Sequence, residues 1–312
     1  MHDLAMVKIR LSLQLIFCFM NNSLYQDIRE FYDASSELWE SIWGEHMHHG
    51  YYGKNGNYKL DRRQAQIELI EELLLWSGYN SGYNSGHNKG NLPQNIIDVG
   101  CGIGGSTLHL AQKFGCKATG ITLSPVQASR AKERAAAAGL EGRVNFEVAN
   151  ALEIPFGDNT FDLVWSLESG EHMPDKAKFL SECYRVLKPG GKMIFATWCH
   201  RETDSLAGDL TPNEVAHLKE IYRVYCLPYV ISLSEYRKIV TECGFQNMKS
   251  DDWSIAVEPF WDVVIDSAIA PKAITGLFKA GWQTIQGALS LGLMSSGYSK
   301  GLVRFGLICA SK

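Results

Sequence analysis

The chain has 312 residues, a formal net charge of −4, and 46% hydrophobic and 21% charged residues. These values are typical of a globular protein, so they exclude a disordered chain, a fibrous repeat and a polytopic membrane protein. The balance of charge also lacks the basic excess that nucleic-acid-binding domains carry. At roughly 150 residues per domain, the length predicts two domains, or one domain with a large cap.

Residues 1–23 form an extension whose role the sequence leaves open. Lys8 and Arg10 precede the mainly apolar run Leu11–Met20, which resembles the first two parts of a signal peptide, but no small-x-small cleavage site follows. The run is too short to span a bilayer. Of an export signal, a membrane-surface anchor and a dispensable extension, we expect the last, because the first patterned helix begins after Met20.

An N-terminal helical lid is predicted over residues 24–77. Apolar residues at helical spacing indicate helices at 24–42 and 61–76, the second with Asp61 as its N-cap. The expected apolar face of the second helix holds four aliphatic residues: Ile67, Ile70, Leu73 and Leu74. The polar repeat GYNSGYNSGHNKG at 78–90 has no apolar anchor, so it predicts a flexible linker.

From 91 to 312 short strands alternate with helices. The predicted strands are Asn95–Val99, Lys117–Thr122, Arg143–Val148, Phe161–Leu167, Lys192–Trp198, Phe245–Trp253 and Leu302–Ala310. The predicted helices between them are Ser106–Phe114, Pro125–Ala138 and Asp175–Leu187, and Lys188-Pro-Gly-Gly191 is the expected stop and turn after the last. This alternation predicts an α/β fold with a Rossmann-like, doubly wound, mostly parallel sheet of seven strands.

A helical cap is predicted at 258–299, before the last strand. It is rich in apolar residues and has no acid from Ser267 to Lys300. Such a surface is typical of closure over an apolar ligand or of contact with an anionic membrane, while plain packing on the core is the third alternative. Eight cysteines are scattered without a Cys-x-x-Cys pair, which predicts reduced thiols of a cytosolic protein and no zinc site.

The segment Asp98-Val-Gly-Cys-Gly-Ile-Gly-Gly105 joins the first strand to a helix. Its glycines allow a tight turn and a close approach to a ligand at the helix N-terminus. Gly100, Gly102 and Gly105 match the dinucleotide fingerprint, but that site needs an acid at the end of the second strand, where Thr122 stands. A carboxylate at Asp98 repels a pyrophosphate and attracts an ammonium group. The segment therefore favours S-adenosylmethionine over NAD, and a loop without ligand is the third alternative.

These residues resemble motif I of the class I S-adenosylmethionine-dependent methyltransferases. Asn150–Asp162 and Arg185–Gly191 are similar to later motifs of that family. A closer resemblance, to the γ-tocopherol methyltransferases of cyanobacteria and plastids, runs from residue 24 to 310. It is carried by Phe31–Trp39, Trp43–Tyr52, Trp165–Asp175, Ala196–Arg201 and Gly301–Gly306. Plant alkaloid N-methyltransferases share many of these motifs.

The resemblance implies transfer of a methyl group from S-adenosylmethionine to the chromanol ring carbon of γ- and δ-tocopherol, giving α- and β-tocopherol. It further implies a lipophilic small-molecule substrate and a cytoplasmic enzyme at the periphery of a membrane, with no nucleic acid and no obligate protein partner. An amine N-methyltransferase and a non-catalytic lipid-binding protein are the alternatives. The intact glycine loop argues against the second.

The resemblance also implies a set of residues that bind the donor: Asp98, Gly100, Cys101, Gly102, Gly104, Thr122, Leu123, Ser124, Gln127, Asn150, Ala151, Ser166, His49, Gly50 and Tyr32. Ser124 is also the expected helix cap, and the two roles are compatible. His49 and Gly50 either cover the donor or pack their loop, and Tyr32 either faces the sulfonium or joins the core. The cluster His46, His48 and His49 has no acid at ligand spacing, so we expect no metal.

Glu168, Glu171 and His172 lie in the loop after the fourth strand, where doubly wound sheets carry their chemistry. The carbons of a phenol become good nucleophiles when the hydroxyl loses its proton, and the pKa of a phenol lies at about 10. We expect His172, assisted by Glu171, to take this proton. The alternative is that His172 caps the next helix or binds the donor carboxylate.

Overall fold

The computed structural model describes residues 25–79, with gaps at 27, 31, 34, 35, 37–39 and 41–43, and residues 92–269 and 282–312. The extension 1–23, most of the predicted linker and the middle of the predicted cap lie outside these ranges. The described residues between 25 and 40 are helical, in agreement with the helix predicted at 24–42. Within the described ranges, no helix is long and apolar enough to cross a bilayer.

Seven strands form one sheet in the described part of the chain. They are β1 (Asn95–Val99), β2 (Lys117–Thr122), β3 (Val144–Val148), β4 (Phe161–Leu167), β5 (Leu187–His200), β6 (Gln246–Asp252) and β7 (Val303–Ser311). Their order is β3-β2-β1-β4-β5-β7-β6. Strands β1 to β5 pair in parallel, whereas β7 is antiparallel to both β5 and β6. The prediction of a mostly parallel, doubly wound sheet is confirmed.

Helices cover both faces of this sheet. They are α1 (Arg62–Trp76), α2 (Gly105–Phe114), α3 (Pro125–Ala137), α4 (Lys176–Val186), α5 (Pro212–Tyr225), α6 (Leu233–Glu242), α7 (Ser254–Val257), α8 (Pro259–Ile269) and α9 (Trp282–Ser299). Leu163 and Trp165 belong to one hydrophobic core and Val164 to the other, because alternate residues of a strand point to opposite faces. Helices α8 and α9 confirm the helical character predicted for both ends of the cap.

Helices α5 and α6 were not predicted, although the sequence contains their start signals. The Thr211 hydroxyl accepts a hydrogen bond from the backbone N–H of Glu214, and the Glu214 side chain accepts one from the backbone N–H of Thr211. Ser232 and Glu235 form the same capping box at the start of α6. A Ser or Thr three residues before a Glu satisfies two free N–H groups of the first turn, so the two pairs could have located both helices.

The Lys188-Pro-Gly-Gly191 segment interrupts a strand that is longer than predicted. Helix α4 ends at Val186, one residue before the predicted end at Leu187, because Leu187 already pairs with Phe161 of β4. The next paired residue is Lys192, opposite Leu163. The segment therefore bulges out of β5 because proline cannot donate to the ladder.

Two predictions, for the N-terminal helical lid and for the linker that follows it, need correction. The linker does not begin at Gly78, because Tyr79 is buried with its ring 5.4 Å from that of Phe114. Asp61 caps α1 as predicted and accepts hydrogen bonds from the backbone N–H groups of Arg63 and Gln64. The predicted apolar face of α1 is wrong at one position: Ile67 is 40% exposed, and Leu69 is buried on that face instead.

These burial differences predict unequal effects of the same substitution on one helix. Ile70→Ala should lower the free energy of unfolding by about 2–5 kcal/mol, because it leaves a cavity in the core. Ile67→Ala, the matched control on α1, should change it by about 0.5 kcal/mol or less, as surface substitutions usually do. Urea denaturation followed by circular dichroism measures both, and equal losses would contradict the observed packing.

Candidate functional site

A cavity lies where the carboxyl ends of β1, β2 and β4 meet, beneath the N-terminal helical residues. The helix contributes Tyr25, Ile28, Arg29 and Tyr32 to its wall. The remaining walls come from the glycine loop and from loops at 45–48, 121–124 and 149–151, and from residues after β4. This is the edge at which ligands of doubly wound sheets bind.

Most residues that were expected to bind the donor line this cavity. Those in its wall are Asp98, Gly100, Cys101, Gly102, Thr122, Leu123, Ser124, Gln127, Asn150, Ala151 and Tyr32. They come from four separate segments, three of which the parallel strand order brings to one edge of the sheet.

Gly104, Ser166, His49 and Gly50 do not belong to the cavity wall. A Cβ at Gly104 would lie 2.6 Å from the Phe146 ring, so this glycine allows packing between the loop and the sheet. The Ser166 hydroxyl is buried and bonded, at 2.7 Å, to that of Ser169, which does line the cavity. Gly50 packs against α1, and His49 turns towards Glu168.

The glycine loop leaves its inner face open to the cavity. The N–H groups of Gly100 and Cys101 donate to the carbonyl of Ile121, at 2.9 and 3.0 Å, which fixes the loop to β2. Gly102 has a φ of +52°, and a Cβ there would meet only the sulfur of Met47, at 3.7 Å. A side chain at this position would therefore project into space that a ligand can use.

Asp98 supplies a buried carboxyl group to this cavity. Its Oδ2 accepts a hydrogen bond from the Thr107 hydroxyl at 2.6 Å, and burial raises its pKa to about 7. This hydrogen bond is with a neutral hydroxyl rather than a cation. A buried carboxylate is stabilised by an opposite charge, so Asp98 fits the ammonium group of S-adenosylmethionine.

A polar cluster surrounds the end of β2. The Thr122 hydroxyl donates to Oε1 of Gln127 at 2.7 Å, and Ser124 accepts from the Gln127 N–H at 3.0 Å. This confirms Ser124 as the cap of α3. The Ser124 hydroxyl also donates to Asp33, which links the N-terminal helix to the cavity wall. Hydroxyl and amide groups here can bind ribose hydroxyls without the acid that a dinucleotide site needs.

Glu168 faces the cavity from an uncommon backbone conformation, with a φ of +53°. The backbone N–H and Nδ1 of His49 lie 2.7 Å from its two carboxylate oxygens. Trp198 donates from Nε1 to the same carboxylate at 3.0 Å. Burial favours the neutral acid, but His49 outweighs it and holds the pKa of Glu168 below its usual value.

The structure does not form the expected pair of His172 and Glu171. Nε2 of His172 lies 2.7 Å from the Tyr32 hydroxyl, and both residues line the cavity. Glu171 is outside the cavity wall and accepts from the Thr197 hydroxyl at 2.7 Å. Burial lowers the pKa of His172 to about 3 and raises that of Glu171 to about 8. An imidazole with so low a pKa binds a proton weakly, so His172 as the base stays a prediction.

The cavity also contains residues that were not expected. They are Tyr25, Ile28, Arg29, Glu45, His46, Met47, His48, Ile103, Gly105, Ser106, Ile121, Ala149, Leu167, Ser169 and Met173. The helical spacing of residues 25, 28, 29 and 32 could have identified the first three together with Tyr32. In the described ranges, no group of three or more His, Cys, Asp or Glu residues is arranged to hold a metal ion.

Comparisons with known proteins agree with this geometry. A family model described as a methyltransferase domain matches residues 97–195. Tocopherol O-methyltransferase of Arabidopsis thaliana, a chloroplastic protein, is 45% identical over 93% of this chain and 83% of its own length. Norajmaline N-methyltransferase of Rauvolfia serpentina is 34% identical over 92% of this chain and 98% of its own.

The solved structures include one of geranyl diphosphate C-methyltransferase from Streptomyces coelicolor A3(2), in complex with Mg²⁺, geranyl diphosphate and S-adenosyl-L-homocysteine. It is 20% identical, covers 92% of this chain and 97% of that chain, and gives a TM-score of 0.70. At this identity the match shows a common fold.

The open face of Gly102 predicts a selective loss of donor binding. Gly102→Val should abolish binding of S-adenosylhomocysteine in isothermal titration, because the side chain occupies the cavity. Gly115→Val is the matched control: Gly115 has a φ of +64° and nothing within 4 Å of its Cβ position. Both variants should lose about 1–2 kcal/mol of folding stability from the left-handed backbone, and unimpaired binding by Gly102→Val would contradict the assignment.

The raised pKa of Asp98 predicts opposite effects on stability and binding. Between about pH 4, the usual pKa of Asp, and its pKa of about 7, the folded state binds more protons than the unfolded state. The ligand-free protein therefore loses stability as the pH rises through this range. Asp98→Asn should remove this loss, giving a higher melting temperature than wild type at pH 8, and should abolish binding of S-adenosylhomocysteine. Wild-type affinity in Asp98→Asn would contradict the ammonium contact.

Proposed function

The chain belongs to the tocopherol methyltransferase family of S-adenosylmethionine-dependent methyltransferases, and from this membership we propose that it methylates the chromanol ring carbon of γ-tocopherol, giving α-tocopherol, and of δ-tocopherol, giving β-tocopherol. The observation that carries the proposal is the extent of the identity to a tocopherol enzyme, which spans the lid, the sheet and the cap. Identity to the alkaloid N-methyltransferase is lower over a similar share of the chain.

The cavity residues take the following roles in this proposal. S-adenosylmethionine supplies a methyl group on a positively charged sulfur. Asp98 binds its α-ammonium group, the cluster around Thr122 and Gln127 binds the ribose, and the loop at 149–151 lies against the adenine. The bond between Tyr32 and His172 joins the lid to the loop after β4, and so excludes water from the reacting centre.

The position of the new methyl group is part of the proposal, because the name of the Arabidopsis relative specifies methylation of oxygen. We assign the methyl group to carbon because α- and γ-tocopherol both keep the free phenol and differ by one ring methyl. A phenolate delocalises its charge onto the carbon beside the hydroxyl. That carbon becomes the nucleophile when a base holds the phenol proton.

A peripheral contact with a membrane also belongs to the proposal, since tocopherols carry long isoprenoid tails. It is motivated by the acid-free stretch Ser267–Lys300 and by the apolar run Leu11–Met20. The run and the cap lysines Lys272 and Lys279 lie outside the described residues. A protein starting at Met20 should retain activity on detergent-solubilised γ-tocopherol if the run serves only as an extension.

The proposed reaction predicts a specific product pattern. Purified protein with methyl-labelled S-adenosylmethionine should convert γ-tocopherol to α-tocopherol and δ-tocopherol to β-tocopherol, and each product should keep its free phenol hydroxyl by mass spectrometry after acetylation. A panel of indole alkaloid amines should give no labelled product. Labelled amine with unlabelled tocopherol would support the N-methyltransferase alternative, and a product that resists acetylation would mean O-methylation.

A further inference from the structure

An aromatic compartment surrounds His49 beside the donor cavity. We use this name for His49 and the five rings whose centroids lie 5.0–5.9 Å from its own: Trp198, Phe260, Trp261, Tyr298 and Phe305. The rings come from β5, β7, α8 and α9. The compartment therefore lies between the sheet and the cap helices.

In this compartment, two side chains each have a buried polar atom that finds no hydrogen-bond partner among the residues that the structure describes. These atoms are Nε2 of His49 and the hydroxyl of Tyr298, and both are fully buried. Buried polar groups are almost always hydrogen-bonded, and each exception needs an explanation such as a missing ligand or water. The centroids of the two rings are 5.6 Å apart, so both unpartnered atoms belong to one packed cluster.

The bond to Glu168 fixes the proton on His49. Nδ1 of His49 lies 2.7 Å from a carboxylate oxygen, which can only accept, so Nδ1 carries the proton and Nε2 has a free lone pair. The backbone N–H of His49 holds the second carboxylate oxygen. Because Glu168 also lines the donor cavity, the pair connects the compartment directly to the place where the methyl group is transferred.

We propose that the aromatic compartment binds the phenol head group of the acceptor, with the phenol hydroxyl donating to Nε2 of His49 and accepting from the Tyr298 hydroxyl. The inference rests on the proposed function and identifies the base that this function needs. The cap helices α8 and α9 separate from the sheet to admit the ring. His49, rather than His172, takes the phenol proton, and Glu168 stabilises the resulting imidazolium.

The phenol O–H bond breaks and its proton passes to Nε2 of His49. The ring carbon beside the phenolate forms a bond to the methyl carbon, and the electron pair of the carbon–sulfur bond goes to sulfur, giving neutral S-adenosylhomocysteine. The methylated carbon then loses its ring hydrogen as a proton, which restores the aromatic ring. The phenolate recovers a proton from His49, so one proton is released for each methyl group transferred.

Two conservative variants test this assignment on the full-length enzyme with γ-tocopherol in detergent micelles. His49→Gln should lower kcat by about 10²–10⁴, the usual contribution of a general base. Tyr298→Phe removes only the unpartnered hydroxyl and should lower kcat/KM about tenfold, the equivalent of one hydrogen bond. Neither variant should alter the affinity for S-adenosylhomocysteine by more than about twofold, because neither residue lines the donor cavity.

Two control variants carry the same substitutions outside the compartment. Tyr52→Phe removes another buried hydroxyl that has no hydrogen-bond partner in the described part of the chain. His109→Gln breaks another His–Glu pair, in which Nε2 of His109 lies 2.7 Å from Glu71 at the surface. Both controls should keep wild-type kcat and KM. A fluorinated chromanol with a more acidic phenol should reduce the difference between wild type and His49→Gln, because such a phenol needs the base less.

The outcomes separate the inference from the function on which it rests. If wild type methylates γ-tocopherol while folded His49→Gln and Tyr298→Phe keep wild-type kinetics, the head-group site is refuted and the proposed function stands. If wild type methylates no tocopherol, the proposed function fails and the inference with it. Equal losses in the control variants, or no effect of phenol acidity on the His49→Gln defect, would assign His49 a structural role and overturn the inference.

Discussion

The buried contact of His49 with Glu168 is the interaction on which the site depends. It joins the loop between the N-terminal helix and α1 to the end of β4 by two hydrogen bonds of 2.7 Å, and Trp198 adds a third from β5. Removing the His49 side chain would take one hydrogen bond from the buried carboxylate of Glu168, and a hydrogen bond to a charged group typically contributes about 1.5–3 kcal/mol. The contact holds the loop at 45–48 against the donor cavity and at the same time orients His49 in the aromatic compartment.

The two halves of the site differ in how they are built. The donor half is defined mainly by the backbone of the glycine loop, which is fixed to β2 and leaves a space open. The buried side-chain carboxyl of Asp98 makes one end of this space polar. The acceptor half in our proposal is defined by side chains from the sheet and the cap. The N-terminal helix covers the donor half through hydrogen bonds from Tyr32 to His172 and from Ser124 to Asp33. Such bonds at the rim of a cavity can break without disturbing either hydrophobic core.

The sequence was sufficient to predict what depends on local pattern. The strands, the glycine loop, the helix cap at Ser124 and the α/β class follow from apolar periodicity, glycine spacing and capping residues, which are readable within a few positions. The loop after β4 was less predictable, because a positive φ at Glu168 and a short 3₁₀ turn at Gly170–His172 decide where its side chains point. Spacing alone suggested a pair of Glu171 and His172. The actual partners, Tyr32 and His49, stand 140 and 119 residues away from His172 and Glu168 respectively.

The most direct test of the account is a crystal structure of the protein with both S-adenosylhomocysteine and γ-tocopherol bound. We predict that the phenol oxygen lies within hydrogen-bond distance of Nε2 of His49 and of the Tyr298 hydroxyl, with the ring carbon beside it facing the sulfur and Asp98 at the α-ammonium group. A phenol oxygen bonded to His172, with the aromatic compartment closed or filled by an ordered water, would contradict it.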